Sequence, residues 1–151
     1  MGLDMYLSAE HYLWDHEEEG KTLKQKVKEL NVPGTSRFEP KSIEFRVAYW
    51  RKANAIHSWF VENCQDGVDE CQRAYVGRDQ LRNLVDLCKR VLENNKLAEE
   101  LLSSSSGFFF GSIEYDEYYF SDIKDTIRML EPIIDDDETW KHNDFYYQSS
   151  W

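Results

Sequence analysis

The chain has 151 residues and a mass of 18.0 kDa; 29 acidic against 18 basic side chains give a net charge of −11, and 15% of its residues are aromatic. Its length fits one domain spanning residues 1–151 with a self-sufficient core, while a field of this sign disfavours direct nucleic-acid binding and speeds encounter with basic surfaces. No apolar run approaches the roughly 18 residues of a membrane span, no signal-peptide pattern is read, and Cys64, Cys71 and Cys88 show no zinc or redox spacing, so the expectation is a cytoplasmic protein in a reducing compartment.

Along Met1 to Leu13, apolar and polar residues alternate loosely around Leu3, Met5, Leu7 and Tyr12, which predicts a first strand. From Trp14 to Asn31 the acids precede the lysines, an order that suits the dipole of a short exposed helix and equally a mobile excursion. His11, Asp15, His16 and Glu17 to Glu19 combine imidazole with carboxylate. The i,i+5 spacing of the histidines turns their rings apart, so no metal site is read.

After the turn signals Pro33-Gly34 and Pro40, Ile43, Phe45, Val47 and Tyr49 alternate with their neighbours, predicting a strand over Ser42 to Trp50 with those four on one strongly buried face. A helix from Arg51 to Asn63 follows, with Ala53, Ile56, His57, Phe60, Val61 and Cys64 on one stripe. His57 is then either a satisfied core imidazole or the lining of a pocket at the strand-to-helix junction. Trp50, Arg51, Lys52 and Trp59 set two cations and two indoles around the helix start, where free N–H groups favour an anion; the opposing reading makes the indoles core and lets the cations reach water.

Arg73 to Val76 reads as a short strand, and Arg78 to Asn95 as a helix on the spacing of Leu81, Leu84, Val85, Cys88, Val91 and Leu92. Lys96 to Leu102 adds a short helix, ended by four serines and Gly107. Phe108, Phe109 and Phe110 between glycines predict a strand over Phe108 to Ile113, buried on both faces or lining a cavity. Asp116 is the expected N-cap of a helix to Leu130, with Pro132 kinking or ending it. Beyond the acidic run Asp135 to Glu138, Phe145, Tyr147, Ser149 and Trp151 share one face of a last strand.

These elements predict an α+β fold: a small, mostly antiparallel sheet of the N-terminal segment, Ser42 to Trp50, Phe108 to Ile113 and the C-terminal strand, covered by about three helices. An all-helical fold would require the alternating Ile43 and Phe145 segments to be misread. The strings MGLDMYL, YWRKANAIHSWFV, GFFFGS with YDEYYF, and YYQSSW together resemble a family of small proteins encoded in tailed-phage genomes and prophages, over nearly the whole chain. The resemblance implies a phage origin and a role inside the host cell during infection; it brings no catalytic residue and no cofactor.

Two functions follow as expectations. In the first the protein is a non-enzymatic binder of a small anionic, nucleotide-like molecule, with Arg51 and Lys52 supplying charge, Trp50 and Trp59 stacking, His57 orienting, and Tyr115 and Trp151 closing the site. In the second it blocks a basic host protein through Asp135, Asp136, Asp137 and Glu138. A small enzyme resting on His57 is the third. No metal or cofactor is called for, since neither a phosphate-binding loop nor a dinucleotide fingerprint is present.

Overall fold

The computed structural model describes residues 2–151. Four antiparallel strands form one sheet in the order β2-β1-β4-β3: β1 Asp4–Tyr12, β2 Ser42–Arg51, β3 Ala74–Val76 and β4 Asp144–Ser150. The helices are α1 Glu18–Glu29, α2 Asn54–Cys64, α3 Arg78–Glu93, α4 Ala98–Leu101, α5 Glu117–Ile134 and α6 Asp137–His142, with a 3-10 turn at Asn95–Leu97. The fold is α+β, with its core on one face of the sheet.

Period two explains which face that is. Met5, Leu7 and Ala9 of β1, Ala48 and Trp50 of β2, Val76 of β3, and Phe145, Tyr147 and Ser149 of β4 are all buried. Against them lie Ile56, His57 and Phe60 of α2, Leu81, Leu84, Cys88 and Val91 of α3, and Ile123, Thr126 and Leu130 of α5, each helix burying the stripe its 3.6-residue period supplies. Phe60 is stacked on Tyr147 with ring centroids 4.0 Å apart, and the indoles of Trp50 and Trp59 meet it edge-on. The opposite face carries Tyr6, Ser8, Glu44, Arg46, Arg73, Tyr146 and Gln148, which line a shallow open hollow. There Arg73 lies 3.6 Å above the Tyr146 ring and pairs with the buried Glu10. Burial pushes the Glu10 carboxyl up, but hydrogen bonds from Ser42, Arg73 and Tyr12 outweigh it and hold the group low.

Several local expectations hold. The charged excursion is helical as α1, acids in its first turn and lysines in its last; Gly20 is required there because a Cβ would come within 2.2 Å of the Trp14 carbonyl oxygen. Asp116 caps α5 by accepting from the N–H groups of Tyr118 and Tyr119.

Five expectations are corrected. Phe108 to Ile113 is not a strand: the Asn54 amide takes the carbonyls of Phe110 and Ser112, and the Phe109 carbonyl accepts from Leu3 N–H, so the segment's backbone groups are spent on a tight loop. Phe108 stands 96% exposed, and only Phe110 packs against the core. The fourth strand is β3 instead. The helix after β2 starts at Asn54, because Lys52 adopts a left-handed backbone (φ 57°) that separates strand from helix. Pro132 does not end α5, which runs on to Ile134; Pro132 and Arg128, whose carbonyl it leaves unbonded, are both on the exposed side. On β2 the alternating Ile43, Phe45, Val47 and Tyr49 do not form one buried face: Phe45 and Tyr49 are exposed, and the register shift at Val47 brings Ala48 and Trp50 into the core. Of the acidic run, Asp136 is the N-cap of α6 and Asp137 and Glu138 lie in its first turn, where they suit the helix dipole.

Candidate functional site

Two groups of the expected residues separate in space. The first surrounds a cavity of about 320 Å³ between the β2–α2 junction and the start of α5, lined by Arg51 to Ile56 on one side, Gly111, Ser112 and Glu114 at one end, and Asp116, Tyr118, Tyr119, Ser121, Asp122 and Ile123 opposite. Its volume is at the lower end of what small-ligand sites offer. Arg51 and Lys52 are exposed on its rim, and neither is in an ion pair among the described residues. The first helical hydrogen bond of α2 is His57 N–H to the Ala53 carbonyl, so the N–H groups of Ala55 and Ile56 are left over on the same wall.

The opposite wall is acidic. Asp116 is occupied as the α5 cap, whereas Asp122 is half-buried and its carboxyl is pushed up to about 6, first by burial and then by the charges of Asp125 and Asp116. An unfolded aspartate titrates near 3.9, so between about pH 4 and about 6 the native state holds a proton that the unfolded chain has lost. Below both values this group costs nothing; as pH rises through that window stability falls, and above it the full cost of the buried charge remains. Asp122→Asn is therefore expected to raise the melting temperature at neutral pH, with a gain that shrinks as pH is lowered towards about 4. A gain of the same size at both pH values would show that the change acts through packing alone.

The second group is a buried polar chain. His57, 1% exposed, meets the Tyr147 hydroxyl through Nδ1 at 2.7 Å and Asp69 through Nε2 at 2.9 Å, and the Trp151 indole N–H donates to the other Asp69 oxygen at 3.1 Å. With the Asp69 carboxylate accepting on both oxygens, His57 Nε2 carries the proton, which in the neutral imidazole leaves Nδ1 to accept from Tyr147; burial, followed by the Asp69 charge, pushes the Tyr147 hydroxyl well above its ordinary value. Phe110 closes the ring edge at 5.0 Å and meets Trp151 at 6.3 Å. His57 is absent from the walls of the cavity beside it. Cys64 is no nucleophile for it either, since burial pushes that thiol up to about 12.

In comparisons with known proteins, no family model, curated protein or solved structure matches the chain. The site therefore rests on its own geometry. Of the residues expected to form it, Arg51 and Lys52 share the cavity. Trp50 and Trp59, 3% and 6% exposed, are core side chains; the Trp50 indole N–H donates to Thr126 Oγ1 at 2.9 Å and its faces are covered, so neither indole can stack on a ligand. Trp151 joins His57 through Asp69 instead of closing the cavity, and Tyr115 lies just outside it, packed on Tyr119 and accepting from the Ser104 N–H.

Sequence reasoning missed Tyr118, Asp122 and Asn54. Asn54, 5% exposed, donates to Phe110 and Ser112 and accepts from the Ser105 N–H, fixing the loop that forms one end of the cavity. Its place at the start of α2 was a signal, but one that reads as helix capping. Asp135 to Glu138 are all exposed, and two of them are partly neutralised: Asp137 by Arg78 and Asp135 by Arg82. The histidines His11 and His16 do not meet; the His11 ring faces His142 at 6.3 Å, and among the described residues no group of three ligating side chains is placed to hold a metal ion. Nor is any described helix long and apolar enough to cross a membrane.

Proposed function

We propose that the protein binds a small anionic molecule in the cavity between α2 and α5, without catalysing its conversion. The observation that carries this reading is a pair of adjacent cations, Arg51 and Lys52, without carboxylate partners among the described residues, on a cavity rim in a chain of net charge −11, beside the free N–H groups of the α2 first turn. A phosphate or carboxylate meets charge and N–H donors on that side. Across the cavity, Asp122 and Glu114 favour a ligand whose other end offers hydrogen-bond donors, and Tyr118 replaces the buried indoles as the available ring. A nucleotide-like molecule has both ends. Sequestration of such a molecule agrees with the resemblance to small tailed-phage proteins.

The test is native mass spectrometry of the protein purified gently from producing cells. The expected result is a reproducible excess of a few hundred daltons, on the order of one small ligand, absent from a folded Arg51→Ala variant. An excess that survives Arg51→Ala removes the anion clamp. A second reading, an acidic surface that blocks a basic host protein, draws on the exposure of Asp135, Asp136, Asp137 and Glu138. It is favoured if no small molecule is carried and a basic protein co-purifies until salt releases it.

A further inference from the structure

The sheet ends on one side at β2, and the backbone of that edge has a definite phase. Leu13 N–H donates to the Lys41 carbonyl at 3.0 Å, and the same register continues through His11 with Ile43 and Ala9 with Phe45. Successive residues of an antiparallel strand direct their backbone groups to alternate sides. Ser42, Glu44 and Arg46 therefore turn N–H and C=O away from β1, and among the described residues nothing bonds to those of Glu44 and Arg46. The register shifts between Leu7 and Ser8, leaving Val47 as the extra residue of a bulge, which bends the strand and confines the straight edge to Ser42 through Arg46.

Two charged side chains on this short edge lack a partner of opposite charge among the described residues. Glu44 and Arg46 are exposed on the open face of the sheet and form no ion pair among the described residues, although the Arg46 guanidinium rests over the Tyr6 and Tyr49 rings. Phe45, on the other face, is 56% exposed. Val32 and Phe38, also exposed, line a hollow together with Ser42 at the start of the strand.

We propose that this edge pairs antiparallel with the same edge of a second copy of the chain, about a two-fold axis at Phe45. The charge pattern selects the register. An axis at Glu44 would set that carboxylate against itself, and an axis at Arg46 would oppose two guanidinium groups. An axis at Phe45 places Glu44 of each copy opposite Arg46 of the other, joins them by reciprocal backbone hydrogen bonds, and brings the two Phe45 rings together on the opposite face. An unpaired edge is a template for another strand, and here the sequence of the edge complements itself. The two sheets then form one continuous sheet through the dimer. Moderate salt assists by screening the −11 charge that each copy brings.

The test is sedimentation equilibrium of the wild type, Glu44→Arg, Arg46→Glu and an equimolar mixture of the two variants. The wild type is expected to dimerise. Each variant alone meets like charges at both pairs and should associate about tenfold more weakly or not at all. Mixing them should restore a dimer of one copy of each, because every 44–46 contact is then between opposite charges. A wild type that stays monomeric, a variant that dimerises as well as the wild type, or a mixture of folded variants that stays monomeric overturns the proposal.

Discussion

Replacing His57 with phenylalanine is expected to destabilise the protein by about 2–3 kcal/mol while leaving the α2–α5 cavity able to bind. The ring volume is kept, so the loss is polar. Tyr147, 0% exposed, would retain a hydroxyl with no acceptor, and Asp69 would lose the imidazole but keep the Trp151 indole. A buried group left unsatisfied costs more than a hydrogen bond contributes, so adding Tyr147→Phe should recover part of the loss by removing the orphaned hydroxyl. Urea denaturation midpoints of the wild type, the single variant and the double variant measure this. Unchanged stability together with lost ligand binding would contradict the structural role and move His57 into the site.

Phe60→Ala should cost about 3–5 kcal/mol, a large share of the 5–15 kcal/mol by which domains of this kind are stable. Phe60 is fully buried, and three aromatic partners surround it: Tyr147 stacked at 4.0 Å with planes 4° apart, and Trp50 and Trp59 edge-on at 5.7 Å and 5.1 Å. Those contacts add to the apolar area lost, and neither strand β4 nor strand β2 can close the gap without leaving its ladder. Tryptophan fluorescence during guanidinium unfolding follows the change directly, because the two indoles beside the cavity report it. A loss below about 1 kcal/mol would mean that the surrounding rings collapse into the space.

The parts of the fold legible in the sequence are those where one side chain's fate depends only on its neighbours in the chain. Alternation marked β1, β2 and β4; the stripe from Leu81 to Val91 marked α3; Asp116 marked the start of α5. The segment Phe108 to Ile113 misled because three phenylalanines read as a buried strand, while the backbone there is held by Asn54, more than fifty positions away in the chain. Local pattern has no access to such a partner.

The candidate site divides along the same line. Arg51 and Lys52 at a helix start were legible because position along α2 fixes them near its free N–H groups. Trp50 and Trp59 were assigned to a ligand from their chemistry, but the sheet and α5 take both into the core, where Thr126 satisfies the Trp50 indole. His57 fell on the buried stripe by periodicity alone, yet its partners Asp69, Tyr147 and, through Asp69, Trp151 come from a loop, the last strand and the residue beyond it. Composition, periodicity and charge order thus determined the class of fold, the buried stripes of the helices and the acidic character of this protein, since each depends on nearest neighbours in the chain or on sums over it; the buried face of β2 escaped them because a bulge at Val47 breaks its alternation. Only the tertiary structure decided which cations share a cavity with which carboxylates and which strand edge stays open, because those depend on contacts between residues that the chain itself keeps far apart.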